Sequence, residues 1–370
     1  MLYLEYAIAW GGSGKSLIEL IDAQENVEAT ILTRIPFPDS VLDGTKVRYE
    51  MARIPRWVSR FPSYIREVME DAYWIYAIVR IAKSSRADIL HLNNGISYNL
   101  ASMIAARLLN IPFVVHQRGW EKPRRRLSLA RRLLGRFPVL AISEAVERHL
   151  HSSIDSDLNV RAIYDVVKHP SMVNRQTPKN GVITIGMHGM LTPWKGQLLL
   201  VEAAAYLRTH HHLKLRYKIA GAPVAGAEQY AADLRAAIEA ADLCEQFELV
   251  GLVEDVYGFL ETLDISVHAS LAPEPLGRVI VEAQLAGVPV IASGEAGALE
   301  LLVDGAGVSF RPGDALALAE CIRDLVLNTE KRHQMAISAL TSSRIRFDER
   351  RLALAVRGVY ESLIISNRPA

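Results

Sequence analysis

The chain reads as an α/β protein built from two doubly wound parallel sheets, one in each half, and three observations predict it. Short apolar runs alternate with helical stretches along the whole length, which is the rhythm of βαβ units. A length of 370 residues suits about two domains of ordinary size. Between the halves, the stretch KHPSMVNRQTPKNG from Lys168 to Gly181 is polar and holds two prolines, as a junction would.

In the first half the strand-like runs are LYLEYAIA from Leu2, ATILTR from Ala29, DILHLN from Asp88, FVVHQ from Phe113 and VLAIS from Val139. In the second half they are VITIGMHG from Val182, YKIAG from Tyr217, FELVG from Phe247, ISVHAS from Ile265, VPVIAS from Val288 and GVSF from Gly307. The apolar stretch DAYWIYAIVRIAK from Asp71 is interrupted by Arg80, so it reads as an amphipathic or buried helix and not as a membrane span. A last helix, RRLALAVRGVYESLI from Arg350, has apolar spacing suited to packing. His210, His211 and His212 read as a loop, a histidine run without a carboxylate. The expected domains are 1–168 and 169–348, followed by a terminal helix over 349–370.

An apolar fraction of 50% with 22% charged residues is that of a soluble globular chain. No charged and apolar cleavable leader is evident, which points to a cytoplasmic protein. Cys244 and Cys321 have no partners at metal or redox spacing, and they read as small buried hydrophobes in a reducing compartment. The formal net charge of +1 hides a basic run from Lys122 to Arg136, KPRRRLSLARRLLGR, which holds Arg124, Arg125, Arg126, Arg131 and Arg132 and no acid. As a helix it is basic and amphipathic, and two readings stay open: a patch for anionic lipid headgroups, or a solvated helix packed through its leucines. It lacks the interleaved aromatics that stack on bases, so nucleic acid is not expected.

The most informative segment is SLAPEPLGRVIVEAQLAGVPVIASGEAGALE, from Ser270 to Glu300. It sets Glu274 before a helix start and Glu282 inside the helix. The backbone N–H groups of Leu276, Gly277 and Arg278 would point out of that helix's N-terminus, where anions bind. VPVIAS then reads as a buried parallel strand with a Gly-rich loop at its carboxyl end, the end at which open α/β sheets bind ligands. Two acids, a helix N-terminus and a glycine loop suit a ligand that carries both hydroxyls and phosphates.

With its flanks, this segment resembles the donor site of retaining glycosyltransferases of family four, which have the GT-B fold of two Rossmann-like domains facing across a cleft. GMLTPWKGQLLLVEAAAYL from Gly189, KIAGAP from Lys218 and FELVGLVEDVYGFLETLDISVHAS from Phe247 follow in family order. The N-terminal half matches more loosely, through Gly11, His116 and AISEAV from Ala141. The resemblance implies transfer of a hexose-like sugar, with retention, from a nucleoside diphosphate-sugar to a glycan or lipid-linked acceptor held by the N-domain. The terminal helix would return to that domain. Neither a cofactor nor a metal is implied, and UDP, GDP and ADP donors remain equally open.

Residue roles follow from the same resemblance. Lys195 would meet the diphosphate, Glu282 the ribose hydroxyls and Glu274 the transferred sugar, with the amides of Leu276, Gly277 and Arg278 on the phosphates. Gly189 belongs to the same phosphate-side loop, and Val253 would touch the base through its backbone. Glu300 matches a family acid or serves as a helix cap. His116 would contact the sugar or shape acceptor approach, Gly11 and Gly12 would admit the donor closely, and Lys15 could add a charge. Met190 stands where the family has an arginine on the diphosphate, which leaves Arg118, Arg278 and Lys15 as candidate replacements. Two rival readings remain. AWGGSGKS from Ala9 to Ser16 satisfies a relaxed phosphate-loop pattern of an ATP- or GTP-dependent kinase or NTPase, and the missing arginine admits a sugar-nucleotide-binding homologue without turnover.

Overall fold

The structure is a computed structural model that describes residues 1–7, 11–25, 27–38, 45, 47–96, 100–121, 137–170 and 181–367. The chain divides into two compact units, Met1–Val166 with Glu349–Ala370, and Val167–Asp348.

The first unit carries strands β1 (Leu2–Glu5), β2 (Thr30–Thr33), β3 (Arg48–Met51), β4 (Leu90–Leu92), β5 (Phe113–Gln117), β6 (Val139–Ala141) and β7 (Val160–Ala162). They form one sheet in the order β3-β2-β1-β4-β5-β6-β7, and every pairing is parallel. The central strands are buried throughout, as parallel strands covered on both faces must be. Edge strands β3 and β7 were not legible as apolar runs: RYEM is mostly exposed, VRA is three half-buried or exposed residues around an arginine, and pairing with their neighbours makes them strands. Helices α1 (Gly12–Asp22), α2 (Ser63–Ser84), α3 (Leu100–Leu109) and α4 (Glu144–Ser153) complete the crossovers. α2 contains the apolar stretch from Asp71 and buries Trp74, Ala77, Ile78, Ile81 and Ala82, the spacing of one helix face. Ser143 starts α4 by accepting the N–H of Val146 at 3.1 Å, a cap worth about 1 kcal/mol.

The second unit carries β8 (Thr184–His188), β9 (Arg216–Ala220), β10 (Phe247–Gly251), β11 (Ile265–His268), β12 (Val290–Ser293) and β13 (Val308–Phe310), again all parallel, in the order β10-β9-β8-β11-β12-β13. Its helices are α5 (Gln197–His211), α6 (Glu228–Ala240), α7 (Val256–Glu261), α8 (Arg278–Leu285), α9 (Gly297–Leu301), α10 (Ala315–Leu327) and α11 (Thr329–Arg346). They cover a core that includes Ile185, Leu200, Leu207, Leu234, Ile265 and Ile322. The histidine run is not a loop: His210 and His211 form the last turn of α5, where basic side chains suit the helix dipole, and His211 lies 3.6 Å from the Glu320 carboxylate. Cys244 is exposed and Cys321 partly buried, so neither is the enclosed hydrophobe expected.

Helix α12 (Glu349–Ser366) belongs to the first unit. It buries Leu352, Ala353, Val356 and Tyr360, and the Tyr360 hydroxyl shares a hydrogen bond with His91 Nδ1 on β4 at 2.7 Å. In each sheet the strand order reverses once, between β1 and β4 in one and between β8 and β11 in the other. Doubly wound sheets open a crevice at that reversal, outside the carboxyl ends of the strands.

Candidate functional site

The loops after β8, β11 and β12 meet at the reversal in the second sheet and are laced by backbone hydrogen bonds. Leu271 N–H donates to Trp194 O at 2.7 Å, and Gly297 N–H donates to Glu274 O at 3.1 Å. Two glycines permit this approach. Gly196 has φ of 73°, and a Cβ there would stand 2.0 Å from Ala269 O; a Cβ on Gly297 would stand 2.3 Å from Pro275 O.

Both site acids are buried, Glu274 at 8% and Glu282 at 4% exposure, so each needs partners for its charge. Glu282, inside α8, accepts from Arg278 Nε at 3.0 Å on one oxygen and from His188 Nε2 at 3.0 Å on the other. Glu274 is loaded unevenly. Its Oε1 accepts from the Lys195 ammonium, from Ser270 Oγ at 2.7 Å and from His268 Nε2 at 3.1 Å. Among the described residues Oε2 accepts no hydrogen bond. Since an ionised carboxylate can only accept, His268 carries its proton on Nε2, which leaves Nδ1 to face Ser293 Oγ at 3.3 Å. Burial pushes the Glu274 pKa up, but the His268 hydrogen bond and the Lys195 charge outweigh it and bring it down to about 2. The Lys195 ammonium also sits 4.2 Å over the Trp194 ring.

The structure thus brings Lys195, Glu274, Arg278 and Glu282 together around the loop that begins at Gly189. Helix α8 begins at Arg278 with Gly277 as its left-handed N-cap, φ 92°, so its first-turn donors start at Arg278; Leu276 lies before the cap and is outside that ring, contrary to the sequence reading. Met190 is exposed, and its carbonyl accepts from Gln197. Val253 follows β10 at the same end of the sheet, beyond β9 and away from β8. Glu300 lies within α9 and is not its cap, a position held by Ala296; its carbonyl accepts from Arg346.

In the first unit, Gly11 is the N-cap of α1 and Gly12 its first residue, and a Cβ on either would meet nothing within 4 Å. That openness leaves room for a ligand to approach the backbone. Lys15 is half-buried on α1. Ser13, Gly14, Lys15 and Ser16 are already helical, and the Ser16 hydroxyl donates to Asp165 at 2.9 Å inside the unit instead of facing outward, as magnesium coordination in a phosphate loop would need. His116, on β5, is enclosed at 1% exposure, with Arg118 Nη2 3.4 Å from its Nδ1 and Asp165 3.8 Å from its Nε2. Burial first, then the charge on Arg118 and the neighbouring His91, holds its pKa well below the ordinary imidazole value, so it is neutral. Arg118 is itself bound to Asp165 and to Asn93 Oδ1 inside the first unit. Arg124, Arg125, Arg126, Arg131 and Arg132 lie outside the described residues. No cluster of three or more metal-ligating side chains occurs among the described residues.

Comparison with known families settles the class. Residues 10–167 match Glycosyltransferase Family 4, and residues 171–341 match Glycosyl transferases group 1. The chain belongs to the family four, group 1 glycosyltransferases. A curated relative, the phosphatidyl-myo-inositol mannosyltransferase of Mycobacterium leprae, is 30% identical over 131 residues, which span 35% of each chain. Anabaena HepE, solved in complex with UDP, superposes with a TM-score of 0.81 at 22% identity, over 98% of this chain and 99% of that one. A glycosyltransferase from Rickettsia africae superposes at 0.80 with 20% identity, over 98% of each. At these identities the structures show the fold, two Rossmann-like units of GT-B type.

Several residues that shape this glycosyltransferase's site were not singled out in the sequence. His188 and His268 end adjacent strands β8 and β11, and each donates to one acid. A polar residue closing an apolar strand at the reversal of a sheet was the available signal. Glu5 and Asn93 gave a similar one in the first unit, where Asn93 Nδ2 donates to Glu5 at 2.5 Å between β1 and β4. Asp165 had no comparable signal.

Proposed function

We propose that this glycosyltransferase moves a hexose-type sugar, with retention and without a metal, from a nucleoside diphosphate-sugar to a glycan or lipid-linked acceptor held by the first unit. The observation that carries the reading is the uneven loading of Glu274: one carboxylate oxygen is held by protein donors, and the other is left for a ligand hydroxyl.

Breaking the glycosidic bond puts negative charge on the leaving diphosphate, and preorganised cations lower that barrier most. Lys195 supplies one, and the α8 N-terminus adds aligned N–H dipoles. Arg278, already in the cluster, is the best placed replacement for the arginine absent at Met190. Glu282, held on both sides, would take the ribose hydroxyls through its remaining lone pairs. A carboxylate held near 2 is too weak a base to deprotonate an acceptor hydroxyl at neutral pH, so Glu274 serves as a hydrogen-bond acceptor. In the proposed retaining reaction the leaving phosphate takes that proton on the face where the acceptor arrives. His116 would shape the acceptor side from inside the Arg118 and Asp165 cluster. The Anabaena protein's crystallisation with UDP and with UDP-glucose supports UDP as the first donor base to try.

The test is a metal-free thermal-shift series with UDP, GDP and ADP, followed by turnover of the matching sugar donor. Ligands that bind only the folded state raise its stability. One diphosphate should stabilise the wild type, lose its effect in Glu282→Ala, and be processed with kcat/KM about a hundred- to a thousandfold lower in Lys195→Ala. Donor binding without transfer or hydrolysis would favour the non-catalytic homologue. A magnesium-dependent ATP shift lost only in Lys15→Ala would overturn the reading.

A further inference from the structure

The first unit exposes a run of large apolar side chains. Beyond β3 the chain enters the 3₁₀ turn Arg56–Arg60 and then α2. Trp57 is 51% exposed, Phe61 40%, Tyr64 67% and Val68 60%, all within twelve residues of sequence. Burying one such ring elsewhere is worth a few kcal/mol in a fold, and leaving four apolar groups in water within one short stretch marks a surface meant for covering. Only Val58 of the turn is tucked in, and it anchors the turn from below.

Charge says what covers it. Arg53, Arg56 and Arg60 are exposed, none has a carboxylate partner among the described residues, and the sequence from Arg53 to Arg66 contains no acid. The acids that flank this stretch are Glu50, which pairs with Arg80, and Glu67, Glu70 and Asp71 further along α2, of which Glu70 pairs with Arg34 and Arg66. An aromatic cluster rimmed by unpaired arginines is the composition that settles at the headgroup level of an anionic bilayer, with rings at the acyl boundary and guanidinium groups on phosphates. A sugar platform would need a flat face. The Trp57 and Phe61 rings meet edge to face, at 74° with centroids 6.2 Å apart, so they form no common flat platform.

We infer that Trp57, Phe61 and Tyr64, with Arg53, Arg56 and Arg60, form a docking surface for an anionic membrane. The surface lies after the carboxyl end of β3, the same end of the sheet at which α1 begins. No helix among the described residues is long and apolar enough to cross a membrane, so the attachment is peripheral. The inference does not depend on the donor reading, because it rests on the first unit alone.

The experiment is co-sedimentation of the full chain with vesicles of phosphatidylcholine, with or without about one-third phosphatidylglycerol. Wild type should bind the anionic vesicles, bind less in high salt, and bind neutral vesicles weakly. Trp57→Ser with Phe61→Ser should lose most binding, and each of Arg53→Gln, Arg56→Gln and Arg60→Gln should weaken it by about fivefold. All these positions are exposed, so nucleotide-induced thermal shifts should stay as in wild type. The inference is overturned if wild type ignores anionic vesicles or if the Ser double variant sediments as wild type does. It is equally overturned if the whole effect resides in Arg124→Gln, Arg125→Gln and Arg126→Gln. A self-association in solution that the Ser variant abolishes, with no vesicle binding, would make this face a contact between copies instead.

Discussion

His268 Nε2 lies 3.1 Å from Glu274 Oε1, the oxygen that Lys195 also reaches, so one imidazole and one ammonium converge on a single oxygen of a buried acid. Protein donors therefore orient the carboxylate before any ligand arrives, which in the proposed reaction would lower the cost of aiming Oε2 at a sugar hydroxyl.

Replacing His268 should accordingly separate sugar recognition from nucleotide recognition. His268→Leu should bind the bare nucleoside diphosphate as wild type does, but lose about ten- to a hundredfold of donor affinity, the worth of a charge-assisted hydrogen bond. His268→Gln, which can still donate, should restore part of it. The Glu274 pKa is depressed, so its contribution to stability is complete above its unfolded value near 4.5 and vanishes as pH falls toward about 2. Without His268 the folded value rises, and the acid limb of donor binding should move to higher pH. Titration calorimetry across pH 4 to 7 should show donor affinity flat for wild type but falling toward pH 4 for His268→Leu; a variant as flat as wild type would refute the link.

The first unit should be acid-sensitive at milder pH. Burial, and then the Arg118 charge, lowers the His91 pKa to about 3, and His116 is held low in the same way. The unfolded chain binds those protons near pH 6.5 while the folded chain does not, so stability falls as pH drops below 6.5 and continues to fall toward about 3. The slope is about 1.4 kcal/mol per pH unit for each histidine. His91→Gln should be less stable at pH 7, because the Tyr360 contact suffers, yet should show a flatter decline between about pH 6 and 4 in urea titrations.

Gly297→Ala should injure donor binding through the backbone. Its Cβ would stand 2.3 Å from Pro275 O, so the segment that carries Glu274 must shift. Overpacking of this kind costs about 1 to 3 kcal/mol. A lower melting temperature together with a weakened donor response is expected, whereas an unchanged donor affinity would show that the loop yields without moving Glu274.

Much of the fold was legible because its central strands are continuous apolar runs: LYLE, FVVHQ and VPVIAS carry their own signal. Edge strands RYEM and VRA do not, since their strand character comes from partners distant in sequence. Within the site, Glu274 and Glu282 stood out through their spacing around a helix start, and Lys195 through the family resemblance of its segment. His188 and His268 emerge only when β8 and β11 lie side by side, which sequence spacing across some eighty residues does not express. His116 was legible as a residue at a strand end but not as an enclosed one.

The Trp194 ring beneath the Lys195 ammonium gives the site an optical property. An indole's emission responds to a charge held against its face and to the water around it, and this one is 38% exposed. A diphosphate that draws the ammonium toward itself would change both at once. The chain therefore carries, among its five tryptophans, one placed to report occupancy of the site by its own fluorescence, without any attached dye.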